Sequence, residues 1–238
     1  MVTHIKCLLN GFHTVMRFNR NLHWVLLKTT ADIFDIIRKC AALDDRIKYI
    51  TNEKNLGAAL SRNVATKAAK GDYIAFLDSD DVWYPEKLEK QISDMKEHKI
   101  LLGYSAYEVI DAAGEITAFH PVAHRMTYET LLKKPSAIGT LTMIYDAQRL
   151  GKFYFDRIGH EDFAMKLQIL RKIPFAGGIT EPLAAYRRHN ESLSGNKVIA
   201  AKWVWDTYRS IEKLSFGKSL YYFIHYAYNS FTKYRKRL

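Results

Sequence analysis

The hydrophobic pattern of the chain becomes regular from about residue 46. Residues 46–51 alternate polar and apolar side chains with the period of a half-buried strand. Residues 56–70 are alanine-rich and end at Gly71, which suits the turn after a helix, so a helix is predicted there. Residues 72–77 form a short apolar run with β-branched and aromatic members, the signature of a buried strand. Pro85 at a first helical position, with Glu86 in the first turn, opens a helix to about His98. Strand, helix, strand and helix with short links imply a βαβ unit and a parallel sheet.

The pattern continues with a strand at 101–110, a turn at 111–114 and a hairpin partner. A short helix follows at 127–134, then a strand at 141–145 and a helix at 161–171. Strands are expected at 175–179 and 183–187, and two helices, 197–214 and 218–234, close the chain. No internal repeat or low-complexity linker interrupts it. The expectation is an α/β domain, a mostly parallel sheet flanked by helices, with a C-terminal helical extension.

Composition narrows the partners. Lysine and arginine number 36 against 25 aspartates and glutamates, a net charge of +11, which suits an anionic partner such as nucleic acid, an acidic membrane face or a diphosphate. No helix-turn-helix, RNP-like or zinc pattern accompanies the charge, and the basic residues are dispersed, so nucleic acid is not expected. The two cysteines, Cys7 and Cys40, form no metal-ligand spacing and point to a reducing compartment. Lys6, His13, Arg17 and Arg20 break up any signal-peptide-like apolar stretch, and no run approaches the length of a spanning helix. A cytoplasmic location is expected.

The densest chemistry is Phe76-Leu-Asp78-Ser-Asp80-Asp81, at the carboxyl end of a predicted buried strand, where ligands bind in open α/β sheets. Three carboxylates in four residues repel one another unless a cation compensates, and a hard divalent ion completed by phosphate oxygens would do so. A solvated acidic turn capping the next helix is the alternative. A second acidic pair, Glu161-Asp162, opens a predicted helix, where capping by the helix dipole is again an alternative to chemistry. A third segment is Tyr186-Arg187-Arg188-His189, followed by Ser192 and Ser194.

The order Asn55-x-Gly57-x4-Arg62-Asn63, then Gly71-Asp72-Tyr73, then FLDSDD with tryptophan and proline after it, resembles the family 2 glycosyltransferases of the GT-A fold. Within that family the likeness leans toward enzymes of bacterial cell-envelope polysaccharide synthesis: teichuronic acid, O-antigen and lipopolysaccharide. The resemblance implies a nucleotide-sugar donor, a UDP-sugar by family frequency, a saccharide or lipid-linked acceptor, and Mg or Mn. It implies metal binding by Asp80, with Asp78 and His189, and donor binding by Asn55, Gly57, Arg62, Asn63, Asp78, Arg187 and His189. Asp162 becomes the general base of an inverting transfer, with Glu161 orienting it or the acceptor. Thr140 and Thr142 fall where relatives carry an acceptor-side loop.

Family members begin with two apolar strands that end in P-x-Y-N and D-D-x-S sequences, and residues 1–30 carry neither. Family-like sequence resumes near Ala31. The division expected is therefore 1–40, an atypical or truncated part of the nucleotide-binding half; 41–196, the catalytic core; and 197–238, a helical tail. Frame disruption or truncation is the expected origin of the first part, and weak donor binding its consequence. In the tail, Leu220, Phe223, Ile224, Ala227, Phe231 and Tyr234 follow helical spacing among tyrosines and end in Lys233-Tyr-Arg-Lys-Arg237. That suits peripheral contact with an anionic membrane surface at the inner face of the plasma membrane, or packing on the domain with a solvated basic end. A non-catalytic, basic membrane- or polysaccharide-associated remnant of the fold is the competing functional reading.

Overall fold

The computed structural model describes residues 12–18, 23–28, 42–43, 47–50, 55–188 and 197–235. Ten strands form one sheet: β1 (Phe12–Phe18), β2 (His23–Lys28), β3 (Ile47–Ile50), β4 (Tyr73–Asp78), β5 (Val82–Trp83), β6 (Leu102–Ile110), β7 (Ile116–His120), β8 (Arg125–Met126), β9 (Ile144–Asp146) and β10 (Ala176–Arg187). The helices are α1 (Gly57–Ala68), α2 (Lys87–Glu97), α3 (Tyr128–Lys133), α4 (Ala147–Leu150), α5 (Glu161–Leu170), α6 (Lys197–Asp206) and α7 (Phe216–Arg235). The main path of the sheet runs β3-β2-β1-β4-β9-β6-β10-β5, with β7 on β6 and β8 on β10.

The α/β organisation follows expectation, but the neighbouring strands are mixed in direction. Only β2 with β3 and β6 with β10 pair in parallel; the other pairings among the described residues are antiparallel. The strands β2, β3, β4, β6 and β10 do share one direction, as a βαβ layout requires. They are separated by β1 and β9, which run against them. Four residues separate β1 from β2, and so short a link can only return the chain antiparallel, whereas a parallel neighbour needs a crossover of roughly a dozen residues or more. Among the first forty residues the described elements are β1, paired with β4, and β2, paired with β1 and β3.

Three further differences are local. The two strands expected at 175–179 and 183–187 are the single strand β10, which absorbs Pro182 through register shifts on either side of it. Thr140–Thr142 forms a 3-10 turn, so the strand expected at 141–145 begins only at Ile144. The helix expected at 197–214 ends at Asp206 and widens into a π-helical turn, Thr207–Ile211, which buries Tyr208 and lets its hydroxyl donate to the Leu132 carbonyl.

Side-chain alternation places a core on each face of the sheet. In β4, Ile74 and Phe76 join a large cluster with Leu102, Tyr104, Tyr145, Phe163 and Leu167. Tyr73 and Ala75 point the other way, toward Ile144 and Met95 of α2. Gly103 belongs to that second face: a Cβ there would lie 2.8 Å from the Met95 sulfur, so the missing side chain lets α2 sit close. With both faces covered, the chemistry is left to the strand ends and the loops beyond them.

Candidate active site

β4 ends at Asp78, and a turn closed by the Asp81 N–H to the Asp78 carbonyl (3.1 Å) presents Asp78, Asp80 and Asp81 at the carboxyl end of the sheet. α1 supplies the cation for this end. The buried Arg62 places one guanidinium nitrogen 2.7 and 2.9 Å from the two oxygens of Asp78, and its other terminal nitrogen 3.2 Å from Glu161. Glu161 is the first residue of α5, so one arginine ties the end of β4 to the start of the helix that carries Asp162. The two acidic clusters therefore meet at a shared edge of the molecule. Burial opposes the charge on Arg62, but Asp78 first, then Glu161 and Asp162, outweigh it and raise its pKa above the ordinary value.

Asp162 is held from its own helix and from the 3-10 turn. Lys166, one turn along α5, donates to Oδ2 at 2.6 Å, and the Thr140 hydroxyl donates to the same oxygen at 2.9 Å. The Lys166 side chain is 1 % exposed and that of Asp162 is 37 % exposed. Oδ1 accepts no hydrogen bond from the described residues, which leaves it for an incoming donor. Burial resists ionisation of Asp162, yet the Lys166 ammonium and the Thr140 hydroxyl together hold its carboxyl below the usual range. The turn carrying Thr140 is itself anchored: Trp83 donates to the Leu141 carbonyl at 2.6 Å, and Gln91 to the Thr142 carbonyl at 2.9 Å.

Asp81 differs. Its carboxylate accepts the Arg187 N–H at 2.9 Å, but burial dominates, aided by Asp78 and Asp80, and pushes its pKa up to about 8. The Arg187 guanidinium donates to the carbonyls of Asp80 (3.0 Å), Asp111 (2.8 Å) and Ala112 (3.3 Å), so it pins the acidic turn to the β6–β7 turn.

A cleft of about 590 Å³ is lined by residues 55–60, 157–159 and Glu161, the partner of Arg62. It brings together Asn55 and Gly57 with Glu161. The Asn55 side chain accepts the Gly57 N–H at 2.9 Å, and Gly57 adopts φ +75°, a conformation that favours glycine as the chain turns into α1. Asn63 faces inward instead: its amide donates to and accepts from the Phe155 backbone at 2.8 and 2.7 Å, fixing the strand-like segment that leads to α5. His160 precedes α5 at φ +56°, and Trp203 of α6 covers Gly159 so closely that a Cβ there would fall 2.3 Å from the indole. His189 lies outside the described residues.

The described residues contain no group of three or more acidic, histidine or cysteine side chains arranged to hold a metal. The oxygen donors at the β4 end suit a hard cation that takes one or two carboxylates and fills its remaining positions from a diphosphate and water. Asp80 stands in this turn between Asp78, whose two oxygens face Arg62, and Asp81, which accepts the Arg187 N–H. Sequence reasoning missed Lys166. Its spacing four residues after Asp162 on one helix face was the available signal.

Comparisons with known proteins bear on the family and the fold. The profile of "Glycosyl transferase family 2" matches residues 29–158. TuaG of Bacillus subtilis, named as a teichuronic acid biosynthesis glycosyltransferase, is 37% identical over 217 residues, covering 89% of this chain and 86% of that protein. WfgD of Escherichia coli, a UDP-Glc:α-D-GlcNAc-diphosphoundecaprenol β-1,3-glucosyltransferase, is 37% identical over 184 residues, covering 77% of this chain and 72% of its own. Among solved structures, Staphylococcus aureus TarS 1–349 in complex with UDP-GlcNAc superposes with a TM-score of 0.61 at 17% identity, over 85% of this chain. The present chain spans 62% of that one, and the likeness speaks to the GT-A fold.

Proposed function

The chain belongs to glycosyl transferase family 2 and is a glycosyltransferase; from that premise we propose that it transfers a sugar from a UDP-sugar to a saccharide or lipid-linked acceptor in cell-envelope polysaccharide synthesis. The transfer is inverting, uses Mg or Mn, and takes place at the cytoplasmic face of the plasma membrane. The observation that supports this most is Arg62, which joins Asp78 to Glu161 and so brings the cation end of the sheet beside the helix carrying Asp162. Relatives named for teichuronic acid synthesis and for a diphosphoundecaprenol acceptor support the assignment of substrate class.

In this reading the cleft of residues 55–60 takes the donor, with Asn55 and Gly57 on its wall. Asp80, with Asp78 beside it, would hold the cation; when bound, that ion would offset the charge that builds on the departing diphosphate. His189 keeps the role of a donor-phosphate or metal contact that the family resemblance gives it. Asp162 takes the proton of the acceptor hydroxyl on Oδ1 while Lys166 and Thr140 fix Oδ2. Because its carboxyl is held low, Asp162 is ionised throughout the neutral range and is a weak base, suited to accepting a proton late, as the new glycosidic bond forms. Glu161 and Arg62 act one step back, setting where α5 begins. Arg187 and Asn63 position backbone: the first holds the acidic turn, the second the segment before α5.

Nucleotide release with Mn across a set of UDP-sugars, with calorimetry of UDP binding, tests the proposal. Release by the wild type and its loss in Asp80→Ala is the expected result. Absence of any heat with UDP and Mn at millimolar ligand would favour the non-catalytic remnant.

A further inference from the structure

α7 carries two apolar faces, and the domain covers one of them. Tyr222, Phe223 and Tyr226 pack against the large core cluster, Ser219 is fully buried, and the Asn229 amide donates to the Lys133 carbonyl at 3.2 Å. On the far side, Phe216, Leu220, Ile224 and Tyr228 recur at every fourth residue with exposures of 63, 42, 60 and 67 %, Phe216 at the start of the stripe also meeting Trp205 edge-on. Tyr221 lies beside this stripe, also exposed. Single apolar side chains on a surface need no partner, but a stripe running over three turns of one helix does. The tail sequence expectation thus divides: Phe223 faces the domain, whereas Leu220 and Ile224 face away from it.

Charge identifies the partner. After Glu212 the chain contains no aspartate or glutamate, while residues 213–238 contain Lys213, Lys218, Lys233, Arg235, Lys236 and Arg237. Alongside, the Lys133 ammonium lies 5.2 Å from the Tyr221 ring centroid and Lys134 is exposed, two cations against the one acid of α3, Glu129. No described helix is long and apolar enough to cross a membrane. We infer that the outward face of α7 is a docking surface for a bilayer bearing anionic headgroups, with the helix lying in the headgroup plane. Aromatic and aliphatic side chains enter the interface, and exposed lysines such as Lys134, Lys213 and Lys218 meet lipid phosphates. Pairing with a second copy of the chain is disfavoured by the same charges: a two-fold contact through this stripe would set two uniformly basic helices face to face.

The position of the surface deepens the functional proposal and, in this respect, rests on it. Lys134 follows α3, and six residues later Thr140 bonds the Asp162 carboxylate. A membrane-docked α7, in contact with α3 through Asn229, is therefore linked by one short segment to the residue that would receive the acceptor proton. An acceptor anchored in the bilayer by a lipid chain would then share one membrane surface with the enzyme.

The test uses the full chain and vesicles of phosphatidylcholine, with and without about one third phosphatidylglycerol. Sedimentation should show partitioning onto the anionic vesicles at least about tenfold stronger than onto neutral ones, weakening as salt rises. The double variant Ile224→Glu/Tyr228→Glu should lose about tenfold or more of this binding while melting within a few degrees of wild type, since both side chains are exposed. Equal partitioning of wild type and variant, or no vesicle binding by the wild type, would overturn the inference. So would a lipid-free dimer, seen by sedimentation equilibrium, that Ile224→Glu dissolves; that result would assign the face to a second copy. Vesicle binding needs no turnover. Docking without nucleotide release therefore counts against the transferase proposal alone, and release without docking counts against this surface alone.

Discussion

Asp162 and Asp81 lie on the two sides of the Arg62 bridge, and their surroundings push them in opposite directions. Burial penalises the charge of both. At Asp162 a lysine from the same helix and a threonine hydroxyl reach one carboxylate oxygen, and the acid is held below its usual range. At Asp81 only a backbone N–H arrives, two more carboxylates sit within three residues, and burial drives the pKa up to about 8. The contrast shows that protonation here is decided by which donor reaches the carboxylate, not by depth. The helix side is built to keep a charge ready. On the turn side, burial favours the neutral form of Asp81 until positive charge comes close.

Breaking the helix side should have the largest effect. Asp162→Asn removes the proton acceptor but keeps the shape, and nucleotide release to an acceptor is expected to fall about 100- to 10,000-fold with UDP affinity little changed. Arg62→Met would separate the two sides. It leaves Asp78 and Glu161 without their shared cation, and thermal unfolding should report a loss of about 2–3 kcal/mol, less than for a fully buried ion pair because both carboxylates keep some solvent contact. Gly159→Ala would push Trp203 away from the start of α5; about 1–3 kcal/mol of stability should be lost, read from the melting temperature.

Lys166→Met sharpens the comparison most finely. Asp162 faces Lys166, His160 and Arg62 as its charged neighbours, and Lys166 is the lowering influence with the greatest weight. Because the folded pKa is depressed, the stability that ionised Asp162 contributes is fully present above its unfolded value of about 3.9 and is lost as the pH falls below that value. In Lys166→Met both that loss and the acid limb of kcat/KM should move upward by about one pH unit or more, whereas Lys166→Arg should keep them low. An unchanged limb in the methionine variant would remove Lys166 from the account.

The parts of this site that could be read in the sequence are those that depend on near neighbours. The apolar run into Asp78, the acidic first turn at Glu161 and Asp162, and the helices flanking them follow from local periodicity and capping, and each forms within a residue or two of its expected bounds. The contacts that join them were not legible. Arg62 meets Asp78 sixteen residues away and Glu161 ninety-nine residues away, and nothing local to Arg62 separates a bridging guanidinium from a surface charge. Lys166 was within reach of sequence reasoning, since it lies four residues after Asp162 on one helix face. Strand direction was legible only in part: the βαβ pattern orients β3 and β4 correctly, while the placement of β1 and β9 between co-directional strands depends on pairings between distant segments.

The central claim is that the acidic turn after β4 and the carboxylate of Asp162 serve one cleft. Paramagnetic broadening by Mn, added together with UDP to methyl-labelled protein, tests it without requiring turnover. The account predicts that the Thr140 and Ile158 methyl signals broaden early, that Asp80→Ala abolishes the effect, and that Leu220 and Ile224 on the outer face of α7 stay sharp. Broadening confined to residues away from Thr140, or unaffected by loss of Asp80, would contradict it.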